Sequence, residues 1–462
     1  MKTNLFRKKS VNQLLQNHGK VQLQKTLGAF DLILLGVGAI VGTGIFILPG
    51  TVAAQHAGPG IVFSFIIAAF VCAFAAMCYS EFSSSVPVTG SAYTYSYIVF
   101  GEIIAWLVGW SLLLEYGLAV AAVATGWSSY FSSLLAGFNI LLPHEISGSF
   151  DPANGTYINL PAILIIFLIA ALLTLGIKES TKFNTIMVCV KVAVILLFII
   201  VGAFYVEPTN WKPFTPFGTS GVLSAAALVF FAYLGFDAVS SAAEEVKNPQ
   251  RNMPIGIIGS LFICTLLYVA VSLVLTGMVS YTQLNVSDPV SFAMKVVNQD
   301  WVAGIISIGA VVGMMTVILV MLYGGTRLVF AFGRDGLLPK LLCEVHPKRK
   351  TPVKNTWIFA TLIALCAGFV PLDKLTELVN MGTLLAFTVV SIGVIYLRKN
   401  KDIPNDGFKV PFFPAIPVIS FILCIFLMTQ LSAHTWIACL IWMIIGIIIY
   451  FTYGKKHSIL NK

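Results

Sequence analysis

Long apolar runs separated by short polar segments dominate the pattern of the chain. Each run has about the 20 residues that a helix needs to cross the ~30 Å hydrocarbon core of a bilayer. The runs cover residues 30–54, 59–82, 101–133, 159–177, 184–206, 219–243, 254–279, 301–332, 355–371, 375–397, 412–430 and 433–453. The pattern therefore predicts an all-α integral membrane protein with twelve transmembrane helices.

Glycines interrupt the first run near its centre, in the segment GAIVGTGIF at residues 38–46. Glycine lacks a Cβ and tolerates backbone angles that break a helix. A break at membrane depth leaves amides and carbonyls that need partners, so it indicates a binding site. The alternative is close helix packing, because Gly38 and Gly42 also form a G-x-x-x-G pattern.

The sixth run has a similar interruption, in LVFFAYLGFDAVSSAAEEVKNPQRNMP from residue 228 to 254. Gly235 lies near its middle and Asp237 follows. Two interrupted segments five runs apart are typical of an inverted-repeat secondary transporter, in which both breaks meet near the bilayer midplane. Amides that begin a half-helix bind an anionic group, and carbonyls that end one bind a cationic group. An α-amino acid carries both groups.

The distribution of lysine and arginine sets the predicted orientation, because cytoplasmic loops retain these residues. With the amino terminus inside, the inward segments hold 23 of the 28 basic residues and the outward segments hold Lys212, Lys295 and Lys374. We therefore expect a multi-pass protein of the cell membrane with both termini cytoplasmic. The net charge of +9 then reflects topology and attraction to membrane lipid, and it requires no nucleic-acid partner.

Composition excludes several other classes of protein. Hydrophobic residues make up 58% of the chain and charged residues only 10%, against roughly 25% charged in soluble domains. The eight cysteines lie mostly inside apolar runs, without C-x-x-C pairs, so we expect neither a disulfide framework nor a metal site. The six histidines lie in tails, in loops or near the ends of runs, which argues against a histidine-based enzyme. We expect no catalytic residue and no cofactor.

Three segments carry a family resemblance: GAIVGTGIF, YSEFSSSVPVTGSAYTYSY from residue 79 to 97, and the sixth-run segment ending in EEVKNPQRNMP. They resemble the amino acid–polyamine–organocation superfamily, and within it the bacterial amino acid permeases of the cationic amino acid transporter family. The resemblance implies the LeuT-type fold with discontinuous helices 1 and 6. It divides the chain into a cytoplasmic tail, two five-helix inverted repeats, two further helices and a second cytoplasmic tail, at residues 1–29, 30–206, 207–397, 398–453 and 454–462.

The resemblance also implies which backbone groups bind the substrate. In the family, amides of the first helix bind the carboxylate, and carbonyls beside the two breaks bind the amino group. These groups correspond here to Gly42, Thr43 and Gly44 for the carboxylate and to Ile40, Phe231 and Leu234 for the amino group. Phe231 is also the expected aromatic gate above the site.

Three ionisable residues lie within the predicted spans, at Glu115, Lys191 and Asp237, where charges are costly and usually functional. Lys191 lies about 12 Å of helix rise into the fifth run. The resemblance implies that Lys191 links the first and eighth helices in place of a sodium ion, and desolvation favours the neutral form of a lysine, which suits a proton carrier. The alternative is a permanently charged, structural lysine. Glu115 and Asp237 are candidates either for proton carriers or for structural partners.

The eighth run narrows the class of substrate. A buried cationic side chain needs a carboxylate or several polar groups around it. The run reads TVILVMLYGG near the expected pocket, with Met321 and no acid. The sequence therefore favours proton-coupled uptake of a small or medium neutral amino acid, of the branched-chain, alanine or threonine type. Glu115 and Asp237 keep a cationic substrate open.

Two other functions remain open on the sequence. An exchanger uses the same site and the same alternating access as a symporter. A transporter fold can also act as an amino acid sensor, because fold does not fix function. A monomer is compatible with the sequence, which does not define an oligomeric state.

Overall fold

The computed structural model describes residues 5–8, 27–86, 91–175, 181–240, 242–347, 349, 351–399 and 407–461 of the 462-residue chain. Within these ranges the regular structure is helical, with three isolated bridges and no named strand. This confirms the all-α prediction. Most of the predicted amino-terminal tail, residues 9–26, lies outside the described residues.

The α-helices share one pattern, in which long apolar helices alternate with short helices in the connections and at the breaks. In chain order they are α1 (Ala29–Ile40), α2 (Thr43–Phe46), α3 (Leu48–Val52), α4 (Ile61–Ser85), α5 (Ser91–Val99), α6 (Glu102–Gly137), α7 (Leu160–Thr174), α8 (Thr181–Ala203), α9 (Gly218–Val229), α10 (Phe236–Ser240), α11 (Pro249–Met278), α12 (Pro289–Val296), α13 (Asp300–Arg334), α14 (Val353–Phe369), α15 (Leu372–Lys399), α16 (Ala415–Thr429), α17 (Ala433–Ile449) and α18 (Lys455–His457).

Seven stretches of the described chain are long and apolar enough to cross a membrane. They are Leu48–Ser85, Glu102–Gly137, Thr185–Ala203, Pro249–Met278, Asp300–Arg334, Leu372–Lys399 and Ala433–His457. Five further apolar helices are shorter, at Ala29–Ile40, Leu160–Thr174, Gly218–Tyr233, Val353–Phe369 and Ala415–Thr429. Each of the apolar runs in the sequence overlaps one of these stretches, which indicates a multi-pass membrane protein.

Two apolar stretches are interrupted by extended backbone. The first stops at Ile40, passes through Val41 (φ −76°, ψ 100°) and Gly42, and resumes as α2. The second changes from α9 to a 3₁₀ turn at Phe230–Tyr233, passes through Leu234 and Gly235, and resumes as α10. Gly235 has a φ of +111°, a conformation that glycine adopts without a steric penalty. The interruptions lie in the glycine-containing segments of the first and sixth runs.

Long helices surround both interruptions. Helix α1 packs against α8, α10 and α11, while α13 packs along α6 and α8. Helix α15 lies against α6, α9 and the 3₁₀ turn that follows α9. The interruptions are therefore enclosed by helices from both halves of the chain, and their polar backbone groups must find partners within the protein.

The two ends of the chain meet at Glu102, the first residue of α6. Its side chain is fully buried and accepts hydrogen bonds from Tyr450 Oη at 2.9 Å and Ser458 Oγ at 2.6 Å. Arg7 forms an ion pair with the same carboxylate at 3.3 Å and donates to the side chain of Asn461. This cluster, which we name the terminal cluster, joins both ends of the chain to the start of α6.

Candidate functional site

The two interruptions contact each other through glycine. A Cβ on Gly44 would lie 2.5 Å from the Cα of Ala232, and a Cβ on Gly235 would lie 2.9 Å from the carbonyl carbon of Ala39. A real side chain at either position would collide with backbone of the other segment. The glycines predicted to break the helices therefore also let the two broken segments touch.

Tyr268 of α11 connects the two interruptions by hydrogen bonds. Its buried hydroxyl lies 2.6 Å from the carbonyl oxygen of Ala232 and 3.2 Å from that of Ile40, donating towards both. Sequence reasoning missed this residue. The available signal was a tyrosine within an apolar run, because a buried tyrosine hydroxyl usually requires a hydrogen-bond partner.

Lys191 of α8 lies at the end of α1. It is fully buried, and its Nζ donates to the carbonyl oxygens of Gly38 at 2.9 Å and Val41 at 3.3 Å. Its aliphatic chain packs against Gly313 of α13, where a Cβ would lie 3.0 Å from Lys191 Cγ. An ammonium ion at the carboxyl end of a helix is favourable, because the carbonyls there carry partial negative charge. Lys191 thus contacts both α1 and α13.

The amides that follow the first interruption belong to residues 42–44. The first amides of a helix have no acceptor within that helix, so they are available to an anionic group. Thr43 is fully buried, donates from Oγ1 to Met314 Sδ at 3.4 Å, and faces Gly126, where a Cβ would lie 2.6 Å from Thr43 Cγ2. Val317 lies 3.2 Å from the position of a Cβ on Gly42. Helices α6 and α13 therefore enclose these amides.

One face of α13 lies against the start of α2, at residues 42 and 43. Met314 and Val317 contact residues 42 and 43, and Met321 follows at the spacing that keeps it on the same side of the helix. Met321 is 3% exposed. Sequence reasoning selected only Met321, because an apolar run gives no indication of which of its side chains approach a broken segment.

The carbonyls predicted to bind an amino group lie beside the two interruptions. Ile40, Phe231 and Leu234 are all buried. The carbonyl oxygen of Phe231 accepts from the amide of Leu234 at 3.2 Å, and that of Ile40 accepts from Tyr268. A carbonyl oxygen has two lone pairs, so each of these acceptors can receive another hydrogen bond.

The two candidate acids occupy buried positions on α6 and α10. Glu115 is 2% exposed and Asp237 is 1% exposed. Tyr116, next to Glu115, lies with its hydroxyl 3.3 Å from Asp237 Oδ2 and donates to it. Glu115 Oε2 is buried and receives no hydrogen bond from the described part of the chain.

The described residues contain no group of three His, Cys, Asp or Glu side chains arranged to hold a metal ion. All eight cysteines are free thiols in the structure. The chemistry available around the interruptions is therefore that of backbone amides, backbone carbonyls and a few buried ionisable side chains.

Comparison with known proteins gives full-length matches. The sequence model of the amino acid permease family matches residues 27–450. The methylthioribose transporter of Bacillus subtilis is 57% identical over 460 residues, and the branched-chain amino acid permease BcaP of that organism is 54% identical over 467 residues; both matches cover 100% of each chain. The vacuolar cationic amino acid transporter 4 of Arabidopsis thaliana is 33% identical over 580 residues, covering 99% of this chain and 96% of its own.

Proposed function

Because the chain belongs to the amino acid permease family, we propose that it is a secondary active transporter that brings neutral amino acids into the cell together with protons. The observation that carries the proposal is the contact between the two interrupted segments. It brings amides and carbonyls of broken helices close together inside the protein. An amino acid has a carboxylate and an ammonium group one carbon apart, and these two kinds of backbone group suit them.

We further propose that the seven long and five shorter apolar stretches form twelve spans in a LeuT-type arrangement. The first five spans, within residues 30–206, form one inverted repeat, and the next five, within 207–397, form the other. Residues 398–453 supply two further spans. An even number of spans puts both termini on one side, and the terminal cluster supports this because it joins them directly. The bias of basic residues makes that side cytoplasmic.

Within this arrangement the substrate carboxylate binds the amides of Gly42, Thr43 and Gly44. The ammonium group binds the carbonyls of Ile40, Phe231 and Leu234, and the ring of Phe231 covers the bound molecule. Supporting this, the amides begin a half-helix and the carbonyls adjoin the ends of others, so the local dipoles match the two charges of the substrate.

The side chain of the substrate lies against the apolar face of α13 that Met314, Val317 and Met321 form. This surface favours a neutral side chain, in agreement with the name of the branched-chain relative. The named substrate of the methylthioribose transporter is likewise uncharged and carries a thioether, so it belongs among the compounds to test. The Arabidopsis relative and the buried acids Glu115 and Asp237 support a cationic substrate as the alternative.

We assign the coupled proton first to Lys191. Its ammonium group holds the carbonyls of Gly38 and Val41, so a change in its charge changes the attachment of α1 to α8. Glu115 and Asp237 are the second assignment, because both are buried and Glu115 Oε2 is without a hydrogen bond from the described residues. Loss of a proton from Lys191 would alter the attachment of α1, and a change at Asp237 would alter the contact of α10 with Tyr116.

Uptake into sodium-free proteoliposomes tests the function. Radiolabelled leucine should accumulate when an inward proton gradient is applied, and unlabelled neutral amino acids should compete better than lysine or arginine. Methylthioribose is added as a further competitor. Uptake that needs internal amino acid and ignores the gradient would identify an exchanger. Binding of leucine without any uptake would point to a sensor.

Met321→Ala should change which substrates compete. Removing the long side chain enlarges the space on the apolar α13 face, so we expect phenylalanine to compete several-fold better and leucine several-fold worse than in the wild type. Large-to-small changes in a packed interior also cost about 2–5 kcal/mol of stability. Competition curves against labelled leucine measure the effect, with Met315→Ala as the control on the same helix. An unchanged selectivity order in Met321→Ala would separate this residue from the substrate site.

A further inference from the structure

Asn380 of α15 holds the helix that precedes the second interruption. Its side chain is fully buried, and Nδ2 donates to the carbonyl oxygens of Ala227 at 2.8 Å and Leu228 at 3.2 Å. Helix α9 ends one residue later, at Val229, and changes there to the 3₁₀ turn. A single amide nitrogen therefore binds two carbonyls at the point where the α-helical pattern ends.

The arrangement parallels that of Lys191 at the first interruption. There, too, one side-chain nitrogen donates to two carbonyls near the carboxyl end of the helix that precedes the break. Lys191 lies on the fifth predicted span of the first half, and Asn380 lies on the fifth of the second half. The two donors differ in charge, because an ammonium group can lose a proton whereas a carboxamide does not titrate in water.

The carboxamide oxygen of Asn380 gives evidence on the role of this residue. Its Oδ1 is buried and makes no hydrogen bond with the described part of the chain. A buried polar atom without a partner destabilises a protein, so packing alone would favour an apolar side chain at this position. The favourable contribution of the Asn380 side chain therefore comes from the hydrogen bonds that Nδ2 donates to the carbonyls of Ala227 and Leu228.

We propose that Asn380 is a positioning residue for substrate binding, the uncharged counterpart of Lys191. It fixes the end of α9 and thereby the direction of the following turn, whose Phe231 and Leu234 carbonyls bind the ammonium group. This inference rests on the proposed function. Because Asn380 carries no charge, its hydrogen bonds to Ala227 and Leu228 do not change with pH, whereas those of Lys191 change when Lys191 loses its proton.

Asn355 provides a matched control. It is 1% exposed, its Nδ2 donates to two carbonyls, those of Thr326 at 2.9 Å and Leu342 at 3.1 Å, and its Oδ1 is also buried without a hydrogen bond from the described residues. It lies on α14 and joins α13, at Thr326, to the connection that follows that helix, at Leu342. The two asparagines are thus alike in burial and bonding and differ in whether they hold a broken helix.

The experiment compares Asn380→Ala, Asn380→Gln and Asn355→Ala in proteoliposomes, with melting temperature measured on each purified protein. Asn380→Ala should raise the KM for leucine about tenfold, as expected for the loss of one or two hydrogen bonds that position the site. The shape of its pH profile should match the wild type. Asn380→Gln, which retains the donor, should recover part of the affinity. Asn355→Ala should lower the melting temperature and leave KM unchanged.

An unchanged KM in Asn380→Ala, with a melting temperature lowered as in Asn355→Ala, would overturn the inference and leave Asn380 a structural residue. A shifted pH profile in Asn380→Ala would overturn the assignment of an uncharged, pH-independent role. If Asn380→Ala does not fold, Asn380→Ser, which keeps a hydroxyl donor, is compared with Asn380→Gln in the same way. A wild type that transports no amino acid would instead refute the proposed function.

Discussion

Gly44→Ala should abolish leucine uptake while the protein still inserts into membranes. The added methyl group would lie 2.5 Å from the Cα and 2.6 Å from the Cβ of Ala232, so the clash is with backbone that cannot rotate away. The first and second broken segments would have to separate, and the amides and carbonyls proposed to bind substrate would move apart. A displacement of about 1 Å in such a site lowers activity by about a hundredfold.

The same assay includes Gly117→Ala as the control. Gly117 lies in α6, and a Cβ there would be 3.5 Å from the nearest atom, in the ring of Phe359, which is an ordinary contact distance. Its uptake should therefore stay near the wild-type rate. Wild-type KM and rate in Gly44→Ala would show that the two interruptions do not need to touch for transport.

Lys191→Met should remove the response of uptake to the proton gradient. Methionine has nearly the same length as lysine but cannot carry a proton, and it leaves the carbonyls of Gly38 and Val41 without their donor. Each buried acceptor that loses its donor costs about 1–3 kcal/mol. We therefore expect a lower melting temperature together with leucine uptake that is equal with and without the gradient.

Lys191→Arg separates charge from proton exchange, because arginine stays protonated throughout the accessible pH range. If Lys191 is the proton carrier, Lys191→Arg should exchange internal for external leucine and fail to accumulate it. If Lys191 is only a structural cation, Lys191→Arg should still accumulate leucine with the gradient. Gradient-driven accumulation by Lys191→Met itself would transfer the coupling role to Glu115 or Asp237.

The helices were predictable because membrane spans are set by hydropathy averaged over many residues. The run at 101–133, for example, corresponds to a helix at Glu102–Gly137, and errors at single residues do not affect the result. The interruptions could also be predicted, because a glycine in the middle of a span allows backbone angles that break a helix. The positive φ of Gly235 gives that signal a physical basis.

The residues that hold the interruptions were not all predictable. Lys191 was found because a charge within an apolar run is conspicuous. Tyr268 and Asn380 donate hydrogen bonds to the backbone carbonyls of Ala232 and Ala227. Every residue has a backbone carbonyl, so the sequence around Ala232 or Ala227 does not show that a distant side chain binds there. Such contacts depend on how helices distant in sequence cross, which a single sequence does not specify.

The terminal cluster has a consequence for how the chain is made. Glu102 leaves the ribosome long before Tyr450 and Ser458, which follow it by 348 and 356 residues. At about 5–20 residues per second, the carboxylate waits roughly 20–70 s for these partners. A chain that stops before residue 458 lacks the hydroxyl that Ser458 donates to Glu102 Oε2. Residues 450–458 thus complete a buried polar cluster whose carboxylate belongs to the first residue of α6.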